Sequence, residues 1–211
     1  EFPVTRISVN PQTMNQETLD IIGRRHTVEQ TKNAFYMARE AGFDNINMDL
    51  IVGLPGEDIT KVQHTLDEVK ALRPDSLTVH SLAVKRAARL NIFRDKYQEM
   101  TFENNQEIMN LTMKTAYEMG MGPYYLYRQK NMKGNFENVG YAKVDKAGIY
   151  NILIMEEKQP IIALGAGGSS KLVFDHGQRI ERVENVKDVS NYISRIDEMI
   201  ERKRTAIATW L

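Results

Sequence analysis

Cysteine is absent from this 211-residue chain, and so are long apolar runs and any excess of charge of one sign. Without cysteine, the residues can form no disulfide, no catalytic thiolate and no cysteine-ligated iron–sulfur cluster. The 28 basic and 28 acidic residues cancel, so no overall field favours nucleic acid or an anionic membrane as a partner. No segment has the roughly 20 apolar residues that cross a bilayer, and the N-terminus lacks a secretory-signal layout, so we expect a cytoplasmic protein.

Strand and helix signals alternate through the first 90 residues. Apolar runs predict strands over Thr5–Val9, Ile46–Val52 and Ser76–Leu82. Capping signatures at Thr27 and Asp58 predict a helix in each of the two intervals. This order is typical of right-handed parallel βα units, so we expect an α/β fold.

A polar segment after the third strand marks a change of pattern, and we predict domains 1–90 and 91–211. The length and the 42% hydrophobic content agree with one or two folded domains. The second domain is predicted to be a smaller α+β unit. It should contain a helix over Asn104–Met119, strands over Tyr124–Arg128 and Pro160–Ala166, a hairpin over Lys171–Val183 that turns at His176-Gly177, and a final amphipathic helix over Asn185–Arg204.

Polar residues near the ends of the predicted parallel strands suggest a ligand site. Because such ends converge on one mouth, Gln12, Asp49 and the backbone at Ala83 should face a common cavity. An amide and a carboxylate suit the hydroxyl and ammonium groups of a nucleoside-like ligand. The Arg24 guanidinium can pair with a ligand carboxylate through two N–H groups. The structural alternatives are a loop-capping role for Asp49 and a solvated surface charge for Arg24.

The chain resembles the radical S-adenosylmethionine (radical SAM) superfamily in R-I-S-V-N-P-Q-T-M-N-Q-E-T-L-D-I-I-G-R-R-H-T from Arg6 and in D-L-I-V-G-L-P-G from Asp49. The run Y-Y-L-Y-R-Q-K-N-M-K-G-N from Tyr124 is similar to the coproporphyrinogen dehydrogenase branch of the oxygen-independent coproporphyrinogen III oxidase-like family. The resemblance implies a partial (β/α) barrel followed by a family-specific substrate or lid domain. It begins at what would be the fourth barrel strand, so we expect the N-terminal half of the barrel, with its C-x-x-x-C-x-x-C loop, to be a missing partner.

The resemblance also implies cofactors and contacts. It assigns six residues to S-adenosylmethionine: Gln12 and Asp49 to the ribose and its surroundings, Arg24 to the methionine carboxylate, Ala83 to adenine through its main chain, and Gly165 and Gly167 to the rim of the mouth. A tight turn is the alternative for the two glycines. A [4Fe–4S] cluster is implied for the full-length parent only, and no metal ligand or catalytic residue is predicted on this chain.

The implied reaction is the oxidative decarboxylation of propionate side chains to vinyl groups in porphyrin and haem biosynthesis. A radical derived from S-adenosylmethionine would take a hydrogen from each propionate, and the chain alone is expected to be inactive. Tyr125 and Arg128 are candidates for stacking on a porphyrinogen and pairing with its propionates, against the alternative of an ordinary half-buried strand. Two other functions stay open: a haem-binding or haem-transfer chaperone of the same family, and a cluster-free, non-catalytic binding module.

Overall fold

The computed structural model describes residues 3–82, 104–128 and 136–210, which divide into two compact units, Glu1–Gly148 and Ile149–Leu211. The domain boundary predicted near residue 90 lies outside the described residues. The first unit continues well past that position, and it includes the helix Asn104–Met119 and the strand Tyr124–Arg128, which were predicted to belong to the second domain.

The first unit is a mixed α/β structure around one five-stranded sheet of order β1-β2-β3-β5-β4. Strands β1 to β3 are parallel, while β5 and β4 continue the sheet antiparallel. The predicted α/β class with parallel strands is confirmed, and in the part of the chain described here the sheet is open, with β1 and β4 at its edges. Its elements are β1 (Ile7–Gln12), α1 (Gln16–Ile21), α2 (Val28–Glu40), β2 (Ile46–Val52), α3 (Ile59–Leu72), β3 (Ser76–Ser81), α4 (Gln106–Glu118), β4 (Gly122–Tyr127) and β5 (Asn138–Ala142).

Local sequence signals set the ends of these helices. Thr27 and Gln30 form the predicted capping box at the start of α2, with each side chain bonded to the other residue's backbone N–H. Asp58 caps α3 by accepting from the Lys61 N–H. Arg73 ends α3 in a left-handed conformation, directly before a proline that cannot continue a helix.

Strand β1 is longer than predicted. It was expected to stop at Val9, but it continues to Gln12, and its pairing with β2 shifts register between these two residues. Pro11 has no N–H to donate to the ladder, and Gln12 has a positive φ of 68°, so the strand bends where it ends.

The two faces of the sheet differ in chemistry. Alternate residues such as Met48 and Leu50 on β2 and Leu77 and Val79 on β3 are buried in the hydrophobic core, together with residues of α2, α3 and α4. The residues between them point to the other face, and on β2 and β3 most of these are polar. One face of the sheet is therefore packed in the hydrophobic core, and the opposite face carries polar side chains.

Asp75, just before β3, joins α2, β2 and the segment after β5. Its carboxylate accepts from the Ile46 N–H at 3.0 Å, pairs with Arg39 at 2.7 Å and lies 3.5 Å from the Lys143 ammonium. Burial alone would raise the Asp75 pKa, but the hydrogen bonds from Arg39 and Ile46 and the two positive charges outweigh it, so the pKa is lowered. This buried carboxylate ties the amino ends of the parallel strands together.

The second unit contains the predicted hairpin, whose strands are joined by a turn at Asp175–Gly177. The predicted strand Pro160–Ala166 is wrong, because only Ile161 pairs, in an isolated bridge with Lys171. The single helix predicted over Asn185–Arg204 is two helices, since the backbone leaves the helical conformation at Arg195. The elements are α5 (Ile149–Met155), β6 (Ser169–Phe174), β7 (Arg179–Glu184), α6 (Val189–Ser194) and α7 (Ile196–Trp210). No helix among the described residues is long and apolar enough to cross a membrane.

Candidate functional site

The polar side of the first unit's sheet is the candidate site, and we define this polar face by Ser8, Asn47, Asp49, Thr78 and His80. The three strands are in parallel register, with Ser8 opposite Asn47 and Asp49 opposite Thr78. Because side chains alternate along a strand, these residues all point away from the helices. The register therefore brings together side chains that are up to 72 positions apart in the sequence.

Hydrogen bonds join the polar face into one network. The Asn47 amide donates from Nδ2 to Asp49 Oδ1 at 2.6 Å and to Ser8 Oγ at 3.3 Å. Thr78 Oγ1 donates to Asn47 Oδ1 at 3.2 Å. Asn47 and Thr78 are only 2% and 3% exposed, so these bonds satisfy polar groups that have little access to water. Within the described chain, the second Asp49 oxygen accepts no hydrogen bond and is available to a ligand.

Tyr125 of β4 covers one side of this network. Its ring lies over Gly140 of β5, so that a Cβ at that position would be 1.9 Å from the ring. The Thr78 hydroxyl and the Asp49 carboxylate are close enough to influence the pKa of its phenol. Burial raises that pKa, and the neighbouring Thr78 hydroxyl opposes the rise, so the phenol is protonated near neutral pH.

Two basic residues lie on this side of the sheet, and one of them, His80, is next to the Asp49 carboxylate. Burial lowers the pKa of His80, and the neighbouring Asp49 charge opposes this only in part, so the imidazole is neutral at pH 7. Arg6 donates from one terminal nitrogen to Ser76 Oγ at 3.1 Å. Its Nε is buried without a hydrogen-bond partner, so an acceptor in this region would satisfy a donor that is otherwise unpaired.

The structure brings the predicted residues Gln12 and Asp49 to neighbouring strands, although Asp49 is not at a strand end as the sequence suggested. It occupies the middle of β2, next to Leu50, which pairs with Gln12. Gln12 ends β1 and donates to the Asn10 carbonyl at 3.4 Å. The predicted residue Arg24 is exposed on the loop between α1 and α2.

Two contacts hold the segments that follow β1. His26 donates from Nε2 to the Pro11 carbonyl at 3.3 Å, which brings the Arg24 loop to the end of β1. The carboxylate of Glu57, only 1% exposed, accepts from Thr13 Oγ1 at 2.5 Å and from Asn15 Nδ2 at 3.0 Å. The loop between β2 and α3 therefore fixes the residues directly after Gln12.

The remaining predicted site residues stay predictions. Ala83 lies outside the described residues. Gly165 and Gly167 belong to the second unit and have positive φ values of 90° and 71°. The Gly165 N–H donates to the Tyr192 hydroxyl, and the Gly167 N–H donates to the Val186 carbonyl. The Gly168 N–H donates to the Gly165 carbonyl at 3.2 Å, which closes a tight turn. Arg128 is exposed and pairs with Glu137 at 2.6 Å.

The supporting part of the site was not predicted from the sequence: Asn47, Thr78 and Gly140 were not singled out. One signal was present: polar residues alternate with apolar ones at Asn47 and Asp49 on one strand, and again at Thr78 and His80 on another. Two strands with this pattern, read as parallel neighbours, predict a shared polar face.

Comparison with known proteins agrees with this architecture. The Radical SAM superfamily matches residues 1–69. The oxygen-independent coproporphyrinogen-III oxidase-like protein HemZ of Bacillus subtilis is 44% identical over 96% of this chain and 40% of its own length. The heme chaperone HemW of Lactococcus lactis is 25% identical over 97% of this chain and 51% of its own length.

A solved structure supports the fold independently. The coproporphyrinogen III oxidase HemN from Escherichia coli, described as a radical SAM enzyme, superposes with a TM-score of 0.67 at 21% identity over 93% of this chain and 44% of that one. The chain thus spans about two fifths of the length of HemZ and of HemN. It belongs to the radical SAM superfamily and is a homologue of the oxygen-independent coproporphyrinogen III oxidase-like proteins.

Proposed function

We propose that the polar face binds S-adenosylmethionine, as part of an oxygen-independent coproporphyrinogen III oxidase-like protein that acts on a porphyrin-type substrate. The observation that carries this proposal is the Asp49 carboxylate, which Asn47 holds at 2.6 Å through one oxygen while the other is left for a ligand. A fixed carboxylate of this kind accepts hydrogen bonds from vicinal sugar hydroxyls.

The residues fit one of the family's two cofactors and not the other. This chain has no cysteine, and its described part has no group of three or more histidine or acidic side chains able to hold a metal ion, so a [4Fe–4S] cluster has no ligands here. S-adenosylmethionine does fit, since Asp49 and Gln12 suit its ribose and the Arg24 guanidinium suits its carboxylate. When bound, this cofactor supplies the radical chemistry of the superfamily.

The role we propose for this chain is placement of the cofactor. Asp49 holds the sugar, and the Glu57 contacts keep the segment after Gln12 in one conformation. Neutral His80 adds a polar group beside the carboxylate without neutralising its charge. These groups orient the ligand, and orientation is what the protein contributes in cofactor chemistry of this kind.

A porphyrin-type substrate is proposed to meet Tyr125 and Arg128. Tyr125 lies beside the polar face, so a substrate next to it would be close to the bound cofactor. The Arg128–Glu137 ion pair is exposed, and such pairs are worth about 0–1 kcal/mol, so a propionate can replace Glu137 at little cost. The oxidative decarboxylation, and a cytoplasmic location, are part of this proposal.

A haem chaperone is the second candidate, because HemW of Lactococcus lactis matches nearly the whole chain. Both candidates share the cofactor face and differ in the tetrapyrrole. Haem binding without decarboxylation would favour the chaperone. Absence of S-adenosylmethionine binding would favour a non-catalytic binding module instead.

Calorimetric titration of S-adenosylmethionine into wild-type and variant chains tests the proposal. Asp49→Asn removes the charge while keeping the size of the side chain, and we expect affinity to fall about tenfold or more, because a hydrogen bond to a charged group is lost. Asp67→Asn, an exposed change on α3, is the matched control and should bind like the wild type. Equal affinity of all three proteins would contradict the proposal.

A further inference from the structure

We propose that Asn104 is a ligand-binding residue at the carboxyl ends of β2 and β3, where its amide recognises the adenine base of S-adenosylmethionine. This role rests on the proposed function, in which Asp49 holds the ribose of the same cofactor. It adds to that site the side chain that selects the base.

The Asn104 amide is buried without a partner. Neither its Nδ2 nor its Oδ1 makes a hydrogen bond, and neither atom has access to water. Among the described residues, no other side chain has two buried polar atoms left unpaired. Such an amide has given up its hydrogen bonds with water and gained none in return, which costs free energy of folding. A ligand that pairs with both atoms would recover this cost.

Asn104 lies beside the residues that directly follow β2 and β3. A Cβ at Gly53, the first residue after β2, would be 3.1 Å from the Asn104 Cβ and 3.6 Å from the Leu82 Cβ. Leu82 is the first residue after β3, and its N–H donates to the Val52 carbonyl at 3.0 Å, so the two strand ends are still paired there. The absence of a side chain at Gly53 therefore leaves room for Asn104 against this end of the sheet.

The start of helix α4 anchors Asn104. Asn105 is the N-cap of this helix, and its side chain accepts from the Ile108 N–H at 2.9 Å. Ile108 is fully buried in the hydrophobic core, so the backbone is fixed directly after Asn104. The amide is thus held in place before a ligand arrives, which lowers the entropic cost of binding.

The separation of Asn104 from Asp49 suits a nucleoside. Gly53, which Asn104 contacts, is four positions beyond Asp49, or about 13 Å along an extended strand. A ribose held by Asp49 would place the attached base over Ile51, with the far edge of the base toward Asn104. Ile51 offers an apolar side chain to the flat face of the base, as is usual in ligand sites that fix orientation with a few polar groups.

An asparagine amide matches the edge of adenine that carries the 6-amino group. This edge presents an amino donor beside a ring-nitrogen acceptor, and the amide presents the complementary acceptor and donor. Asn104 Oδ1 would accept from the amino group, and Nδ2 would donate to the ring nitrogen. Both atoms that are unpaired in the free protein would then have a partner.

Calorimetric titration with two ligands tests this role: S-adenosylmethionine, and an analogue with hydrogen in place of the 6-amino group. The wild-type chain should bind the analogue about tenfold more weakly, because the buried Asn104 oxygen is then left unpaired. Asn104→Leu should bind S-adenosylmethionine about tenfold more weakly than the wild type and should bind both ligands equally. Asn104→Asp keeps an acceptor and should still prefer the ligand with the amino group. Asn110→Leu, the same change at an exposed position of α4, is the matched control and should behave like the wild type.

A second readout does not need a ligand. Because the Asn104 amide has no partner in the free protein, Asn104→Leu removes a buried polar group without breaking a hydrogen bond. Its urea unfolding midpoint should therefore equal or exceed that of the wild type, although its ligand binding is weaker. A clear fall of the midpoint would show that the amide supports the free fold, and it would overturn the inference.

The two proposals fail in different ways. If Asp49→Asn weakens S-adenosylmethionine binding but Asn104→Leu binds like the wild type, or weakens both ligands equally, the role of Asn104 is overturned and the proposed function survives. If Asp49→Asn has no effect on binding, the proposed function fails. The preference for the 6-amino group, and its loss in Asn104→Leu, then decides whether Asn104 recognises the base.

Discussion

His80 is the titratable residue of the polar face whose charge the fold controls most clearly. Burial lowers its pKa, with the Asp49 carboxylate opposing. In the unfolded chain a histidine has a pKa of about 6.5. Because the pKa of His80 is lower in the folded state, the unfolded state binds a proton at a higher pH than the folded state does. The free energy of unfolding should therefore be highest above pH 6.5 and should fall as the pH drops below it.

We expect His80→Gln, which cannot titrate, to reduce this loss of stability between pH 6.5 and 5. Urea unfolding at several pH values measures it. His64→Gln removes an exposed histidine of α3 and should keep the wild-type pH dependence. A His80→Gln protein whose stability declines as steeply as that of the wild type would show that the imidazole does not resist protonation.

At the residue scale, the sequence alone was enough to predict polar residues that stand next to a recognisable strand pattern. Asp49 and Gln12 follow apolar runs, so their proximity could be predicted from strand order alone. Alternation marks Asn47 and Thr78 as polar positions of a strand, but it does not show that they meet. The contacts of Thr78 with Asn47 and with Gly140 span 31 and 62 positions, and only the sheet register joins them.

At the scale of elements, β4 and β5 complete a site that the parallel strands begin. The Tyr125 ring lies over Gly140 of β5, the residue that pairs with Thr78 of β3. This cross-strand packing gives β4, an edge strand in the described sheet, a contact with the polar face.

Gly140→Ala should displace the Tyr125 ring, because the new methyl group would meet it at 1.9 Å. We expect a loss of about 1–3 kcal/mol in the free energy of unfolding, as for other overpacked sites, together with weaker S-adenosylmethionine binding. Chemical denaturation measures the first effect.

Gly122→Ala is the matched control for this change. Gly122 is on the neighbouring strand β4, and a Cβ there would meet nothing within 4 Å. Its stability should stay within about 0.5 kcal/mol of the wild type, as for other changes without steric conflict. Equal stability of the two alanine variants would contradict the packing described for Tyr125.

Elements were predictable where several local signals agreed. Strand β2, the capped helices α2 and α3, and the β6–β7 hairpin all combine an apolar pattern with a cap or turn residue. Strand β5 was missed because N-V-G-Y-A is short and contains a glycine, which sequence reasoning treats as a break. The strand predicted over Pro160–Ala166 failed for the opposite reason, since an apolar run there lacks a pairing partner beyond Ile161.

At the scale of the whole molecule, the chain combines the proposed cofactor-binding face with an absence of cysteine. The similarity to HemZ indicates a radical SAM protein, and the fold is similar to that of HemN. It spans about two fifths of the length of those relatives. The central claim for this chain is therefore about placement of a ligand.

The location of bound S-adenosylmethionine tests this claim most directly. Ile51 is on the same face of β2 as Asp49, whereas Leu77 points into the core. With methyl-labelled protein, nuclear Overhauser contacts should join the ribose protons of the ligand to the Ile51 methyl groups and not to those of Leu77. A saturated complex that shows no contact between the ligand and Ile51 would contradict the account.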